Sequence, residues 1–314
     1  MSKVRLAIIG AGYIAEEHLK VINKIPNLEV DLLISRSMKK VNKLARKFKI
    51  RRKSNNMKDL FGSYDDLDGI LNLVSADNIF DVSKDLIPFK IPIFIEKPPS
   101  LKIKQAIYLS DLAKKHKTLS MVGFNRRFYS IYQKGIDLIN KNGRLLGINI
   151  EGHERFWKIK GHVSEEMRNQ WLFANSSHTI DLLNFFGGDI DKISIYKNSL
   201  IEKNGDQFSA SMKFKSGALG NYSSNWYSPG GWSVSLFGEG ITVIFKPLEK
   251  GVWIDKNFKE QEILPSKDDV IFKEGFYNQM LCFKKLILTK KLNFPGISLQ
   301  ESLKTMQLIE KFRK

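Results

Sequence analysis

Gly10, Gly12 and Ala15 are the residues whose types and spacing speak most directly to chemistry. They form G-x-G-x-x-A, and the apolar run Val4-Arg5-Leu6-Ala7-Ile8-Ile9 leads straight into it. The run reads as a buried parallel strand, and Gly10 permits the tight turn that must follow. Gly12 carries no side chain, so a pyrophosphate can approach the backbone. Ala15 is small enough for the next helix to pack closely on the sheet. That helix offers free N–H groups and a partial positive charge to phosphates. Tyr13 and Ile14 lie inside the motif and belong to the same expected cofactor-binding set. The plainer alternative is a glycine-rich turn that holds no ligand.

The second informative place is the end of the second expected strand. In a dinucleotide-binding βαβ unit this point meets the adenosine ribose. An acid there accepts from the 2′-hydroxyl and favours NAD, whereas a hydroxyl with an arginine accommodates the 2′-phosphate of NADP. Here the strand ends Ile34-Ser35-Arg36-Ser37, followed by Lys39 and Lys40, with no acid at its tip. Arg36 can stack on adenine or pair with a phosphate. The expected cofactor is NADP or NAD, with NADP ahead. A solvated surface is the competing reading of Arg36, Lys39 and Lys40.

Composition narrows the class. A length of 314 residues with 42% hydrophobic content fits two domains better than one. The single cysteine, Cys282, excludes an intrachain disulfide and a thiolate metal site and points to a reducing, cytoplasmic setting. The first strand starts almost at Met1, which leaves no room for a signal peptide, and no apolar run approaches a membrane span. The formal net charge is +18, which favours anionic partners. The lysines are nevertheless spread along the whole chain. With no helix-turn-helix signature and no basic tail, no nucleic-acid partner is expected. His116, His153 and His162 lack companions at ligand spacing, so no metal is expected. His18 reads as packing or solvent rather than chemistry.

These residues need elements to hold them. The first 120-odd residues alternate strand and helix, as a doubly wound parallel sheet requires. Strands are expected at 28–35, 67–75, 92–96 and 119–124, and helices after Ala15 and at 37–48, 82–89 and 100–116. The rhythm then changes. A helix at 129–141 leads to a strand at 145–152, a segment of loop character to about Gln170, and a helix at 177–186 stopped by Gly187-Gly188. Strands with short turns follow at 192–197, 207–215, 218–226, 232–238, 241–247 and 252–255, which predicts a largely antiparallel sheet. Helices at 268–289 and 298–313 finish the chain. The second opens with Ser298-Leu299-Gln300-Glu301, the spacing of a capping box.

At this point the chain resembles the Gfo/Idh/MocA oxidoreductases, and the resemblance covers most of its length. Four segments carry it in order: Gly10-x-Gly12-x-Ile14-Ala15-x-x-His18, then Ile95-Glu96-Lys97-Pro98, then Gly123-Phe124-Asn125-Arg126-Arg127-Phe128, and finally His178-Thr179-Ile180-Asp181. The resemblance implies an α/β fold: an N-terminal Rossmann domain over 1–123 and a C-terminal α+β domain over 124–314 with an open, mostly antiparallel sheet. It implies that Lys97 and His178 are catalytic. A lysine at the carboxyl end of a parallel strand can donate to a substrate hydroxyl and stabilise a developing alkoxide. An imidazole titrates near neutral pH, so His178 can take and return the hydroxyl proton. Glu96 would orient Lys97 or contact the ribose, and Ser75, Asn78, Glu96, Lys97 and Asn125 join the cofactor-binding set.

The departures matter too. Many relatives carry an aspartate four residues before the histidine, within a glycine-rich stretch. Here that position is Ala174, approached by Trp171-Leu172-Phe173, and Asn175 follows it. Ser75-Ala76-Asp77-Asn78 stands where relatives often have Thr-Pro. For substrate, Arg126 and Arg127 can grip an anionic group bidentately. Arg155, Trp157 and Trp171 mix cations with aromatic faces, and Asn175, His178, Asp181 and Lys97 complete the expected set. Core packing is the competing reading of the aromatics. The resemblance implies a polyol, sugar, aminosugar or nucleotide-sugar substrate, and the basic balance tilts this toward a nucleotide-activated or acidic sugar. It also implies a homodimer or homotetramer through the C-terminal sheet. The alternative is a non-catalytic dinucleotide-binding sensor or regulator of the same fold, motivated by Ala174.

Overall fold

A computed structural model describes residues 3–61, 66–159 and 161–314. Its contacts divide the chain into two compact units, Met1–Asn125 with Ile271–Leu303, and Arg126–Val270 with Lys304–Lys314.

The first unit contains β1 (Val4–Ile9), α1 (Tyr13–Ile22), β2 (Leu28–Ile34), α2 (Met38–Phe48), β3 (Arg52–Ser54), α3 (Lys58–Phe61), β4 (Gly69–Asn72), α4 (Ala76–Leu86), β5 (Ile93–Glu96), α5 (Ile103–His116) and β6 (Ser120–Gly123). Six strands form one parallel sheet in the order β3-β2-β1-β4-β5-β6. The sheet is apolar on both faces, as helix-covered parallel sheets are: every residue of β1 from Leu6 to Ile9 is buried. Register aligns the carboxyl ends. Ile9 pairs with Ile34 and Asn72, Asn72 with Ile95, and Glu96 with Gly123. Strand order reverses direction beside β1, and ligands of open α/β sheets bind outside the carboxyl ends at such a point.

The second unit holds α6 (Ser130–Asn142), β7 (Leu145–Gly152), α7 (Glu165–Asn169), α8 (Ser177–Gly187), β8 (Ile190–Asn198), β9 (Gln207–Phe214), β10 (Leu219–Asn225), β11 (Trp232–Gly238), β12 (Ile241–Phe245), β13 (Gly251–Asp255) and β14 (Glu260–Ile263). These eight strands form a second sheet, β14-β13-β12-β11-β7-β10-β9-β8. All pairs are antiparallel except β10 with β7. Alternating burial along β9 marks one covered and one exposed face. α8 lies against β7. Gly152 is what permits the approach, because a Cβ there would stand 2.3 Å from the Tyr222 hydroxyl and 2.9 Å from Thr179 Oγ1.

Three helices follow: α9 (Lys267–Ile271), α10 (Phe276–Thr289) and α11 (Leu299–Arg313). The single helix expected over 268–289 is broken, because Gly275 at φ +77° cannot continue an α-helix and becomes the N-cap of α10. Ser298 and Glu301 form the expected capping box, with Ser298 N–H to Glu301 Oε2 at 2.9 Å and Glu301 N–H to Ser298 Oγ at 3.2 Å. α10 belongs to the first unit, since its apolar face meets α1 and β5: Phe276 packs on His18 and Phe283 on Phe94, at 4.8 and 5.7 Å between ring centres. Continuous residues 124–314 therefore do not make up the second compact unit.

Other differences are local. β4 is shorter than 67–75. α4 starts at Ala76 rather than Val82 and gives way to a 3₁₀ turn at Ile87–Phe89. β3 and β14 were not read from the sequence, being short and polar. The segment before α8 is not loop throughout, for α7 and a π-helical turn, Leu172–Ser176, lie within it. Among the described residues no helix is long and apolar enough to cross a membrane.

Candidate functional site

In the first unit, Gly10 turns the chain off β1 at φ +119°. Its N–H donates to Ile34 O at 2.7 Å, and a Cβ would lie 2.6 Å from Leu73 O. Only glycine fits where the ends of β1, β2 and β4 crowd together. Gly12 is the reverse case. It is the N-cap of α1, and a Cβ there would meet nothing within 4 Å. The space over this helix N-terminus is open, as a cradle for a diphosphate must be. Ala15 is buried, Ile14 half-buried and Tyr13 exposed. Lys273 Nζ lies 5.0 Å from the Tyr13 ring.

At the tip of β2, the Ser35 N–H is tied to Ser54 O at 3.1 Å while Arg36 is exposed. Ser75 is the N-cap of α4, and Asn78 Nδ2 donates to its Oγ at 2.8 Å. Both therefore stand at the loop that leaves β4. Glu96 is buried at the end of β5, and its Oε2 accepts the Lys97 N–H at 3.0 Å. Glu96 Oε1 lies 3.0 Å from His18 Nε2. Asn125 is buried, with Nδ2 donating to Glu274 O at 3.2 Å. The first unit thus gathers Gly10, Gly12, Ser35, Arg36, Ser75, Glu96 and Lys97 at the carboxyl ends of its strands.

In the second unit, His178 is buried in the first turn of α8, directly after the π-helical turn. π-turns recur at functional positions because they shift the helical register by one residue. The His178 ring lies 5.9 Å from Trp232, and the Arg126 guanidinium sits 4.5 Å over the same indole. Trp232 helps to line a cavity of about 500 Å³, together with Trp171, Asn175, Glu154, Arg155 and Lys158. Among the described residues the buried Trp171 Nε1 finds no hydrogen-bond partner. Trp157 is exposed and is not part of this lining.

Two expected ligand-binding residues are bound to each other. Arg127 Nε and Nη2 donate to Asp181 Oδ2 and Oδ1 at 2.6 and 2.8 Å. Thr305 Oγ1 adds a third bond to Asp181 at 2.7 Å. The pair is a buried bidentate clamp within the second unit. Its donors and acceptors are turned on one another rather than left open to a ligand, whereas the sequence pointed to a substrate grip.

Glu154 is the residue the sequence reading missed. It is buried, and its carboxylate accepts from Asn175 Nδ2 at 2.8 Å and from Ser176 Oγ at 2.9 Å. A carboxylate thus reaches the turn that contains Ala174 from the end of β7. The available signal was its place just beyond Gly152-His153, at the end of the strand that proves central to the second sheet.

Comparison with known proteins bears on these two units. A 138-residue stretch is 28% identical to an uncharacterized oxidoreductase, YrbE, of Bacillus subtilis; the match spans 44% of this chain and 40% of that protein. A Gfo/Idh/MocA family oxidoreductase from Vibrio cholerae has the same fold, with a TM-score of 0.83 and 20% identity over 99% of this chain and 97% of that one. So does a UDP-N-acetylglucosamine 3-dehydrogenase from Acidithiobacillus ferrooxidans, with a TM-score of 0.80 and 14% identity over 100% and 97% of the respective chains. The model of the oxidoreductase family with an NAD-binding Rossmann fold matches residues 4–124, and the GFO/IDH/MocA C-terminal domain model matches residues 141–244. Together these matches cover most of the chain, which belongs to the Gfo/Idh/MocA family of NAD-binding oxidoreductases.

Proposed function

We propose that the protein is an NAD(P)-dependent dehydrogenase or reductase acting on a hydroxyl or carbonyl carbon of a sugar or nucleotide sugar. The observation that carries this reading is the glycine cradle in register with Lys97. Gly10 is shaped by the Leu73 carbonyl, Gly12 is open, and Lys97 stands at the end of β5 in the same row of strand termini. Gly10, Gly12, Tyr13, Ile14 and Ala15 would hold the diphosphate. Ser35 and Arg36 would meet the adenosine ribose, with Arg36 and the absence of an acid favouring NADP. Ser75, Asn78, Glu96 and Asn125 would border the nicotinamide half. When bound, the nicotinamide supplies the hydride acceptor or donor.

Lys97 donates a hydrogen bond to the reacting oxygen and stabilises charge that develops there. His178 takes or returns the hydroxyl proton. The cavity lined by Trp171, Trp232, Glu154 and Arg155 suits a sugar, with indole faces for the ring, a carboxylate to accept from hydroxyls and a cation for an anionic group. The fold shared with a UDP-N-acetylglucosamine dehydrogenase supports the nucleotide-sugar form of this reading. The outer face of the second sheet, where Leu219 and Phe237 stand exposed on either side of Gly147, is the surface for a homodimer or homotetramer.

The test is titration with NADH and NADPH, then a screen of sugars and nucleotide sugars by nicotinamide absorbance. Lys97→Ala is expected to lower turnover at least about 100-fold while cofactor affinity stays within about threefold. Arg36→Asp is expected to move preference from NADP toward NAD; an unchanged ratio of affinities would sink the cofactor assignment. The sensor reading draws on Ala174. It predicts tight cofactor binding, no turnover with any sugar, and indifference to Lys97→Ala.

A further inference from the structure

His18 closes the first sequence motif, and the proposed function gives it no part. Its ring is fully buried. Phe94 meets it edge-on at 5.2 Å and Phe276 lies at 4.8 Å. An aromatic cage of this kind is a costly place for an imidazole unless its polar atoms are satisfied. Among the described residues Nδ1 finds no hydrogen-bond partner, so the polar compensation they offer is at Nε2, 3.0 Å from Glu96 Oε1. A phenylalanine or leucine would fill the same space without that penalty. The imidazole is there for the carboxylate.

Glu96 is held from other sides as well. Its Oε2 accepts the Lys97 main-chain N–H at 3.0 Å. Gly123, its neighbour in β6, leaves room for it, because a Cβ there would press to 3.1 Å from Glu96 Cδ. Three of the sequence motifs therefore converge on one carboxylate: the helix that begins at the glycine cradle, the strand end that carries Lys97, and the glycine before Phe124.

We propose that His18 is a positioning residue for the Glu96–Lys97 step. It donates from Nε2 to Glu96 and fixes the carboxylate in one orientation, and that carboxylate fixes the main chain from which Lys97 projects. Without this bond the Glu96 carboxylate keeps the Lys97 N–H on Oε2 but loses the anchor on Oε1, so the acceptor that meets the Lys97 N–H is less firmly fixed. Displacements of about 1 Å at a catalytic group can cost about 100-fold in rate, so the anchoring matters. The inference rests on the reading of Glu96 and Lys97 as residues that meet the cofactor and substrate.

The test uses NADH and NADPH as probes, with affinity and bound-nicotinamide fluorescence read for the whole protein. His18→Phe keeps the aromatic packing and removes the donor. It is expected to weaken the tighter probe about tenfold, the scale of a lost hydrogen bond to a charged group. His18→Gln, whose amide nitrogen reaches the place of Nε2, is expected to restore binding to within about threefold of wild type. Glu96→Gln weakens binding too, and adding His18→Phe to it has no further effect if His18 acts only through Glu96. Wild-type affinity in His18→Phe, or a loss that adds in full to that of Glu96→Gln, overturns the proposal. Should His18→Phe fail to fold, Gly123→Ala displaces the same carboxylate from its other side, and unchanged affinity there overturns the proposal equally. A wild-type protein that binds neither probe instead refutes the dinucleotide reading itself, and the inference falls with it.

Discussion

Asp181→Asn is the substitution that most sharply separates a structural clamp from a ligand contact. Arg127 and Asp181 meet through two bonds at 2.6 and 2.8 Å, with side chains 9% and 1% exposed. Thr305 Oγ1 donates to the same carboxylate. Asparagine preserves the volume but removes the charge and turns an N–H toward a site filled with donors. Arg127 is left as a buried, uncompensated cation. Removing one partner of a buried pair costs about 3–5 kcal/mol, against ~0–1 kcal/mol for an exposed pair. At about 2–4 °C per kcal/mol for a domain of ~150–250 residues, Tm should fall by roughly 6–20 °C. Replacing both residues by apolar ones of similar size, Arg127→Met with Asp181→Leu, should recover most of the loss, because neither charge is then stranded. The assay is thermal melting by circular dichroism, with NADPH titration of the same samples as a check on the first unit. A fall below about 2 °C for Asp181→Asn, or a double variant no better than the single one, would refute the reasoning. It would mean that water or ligand reaches the pair, as a substrate grip by Arg127 and Asp181 requires.

Other predictions follow from the glycines and from one surface carboxylate. Gly10→Ala should lower both stability and dinucleotide affinity, since its Cβ would stand 2.6 Å from Leu73 O at φ +119°; backbone strain alone costs about 1–3 kcal/mol. Gly12→Ala should leave melting within about 1 kcal/mol of wild type, because its methyl would meet no described atom within 4 Å, yet weaken NADH and NADPH at least about tenfold if the proposed diphosphate lies over this helix N-terminus. Equal effects of the two substitutions on both readouts would argue against a cradle. The Ser233 hydroxyl, with Lys246 beside it, holds the Glu151 carboxyl below the ordinary glutamate range, against the opposing effect of burial. A depressed folded-state pKa contributes stability that is present above the unfolded value and lost as pH falls through the folded one. Glu151→Gln should therefore flatten the acid limb of the Tm-against-pH curve, and parallel curves for the two proteins would contradict this.

What the sequence by itself determined is what neighbours along the chain can enforce. The turn at Gly10 and Gly12, the N-cap box at Ser298 and Glu301, the stop of α8 at Gly187-Gly188 and the parallel sheet of the first unit all follow from residues a few positions apart or from a repeated strand–helix rhythm. Hairpin turns announced most of the second sheet in the same way.

Tertiary structure decided the rest, because the deciding partners are far apart in the chain. α10 lies in the first unit because its apolar face fits α1 and β5, a match that hydrophobic periodicity cannot address to a destination. β10 runs parallel to β7 because a long connection separates them, and no turn residue records that choice. Arg127 and Asp181 each look like a ligand contact until the fold spends one on the other. His18 and Glu154 look incidental until burial brings Glu96 to the first and the turn around Ala174 to the second. Residue type sets what a side chain can do. Which partner it meets in a dry interior, where an unmet polar group is expensive, is set only when the chain has closed on itself.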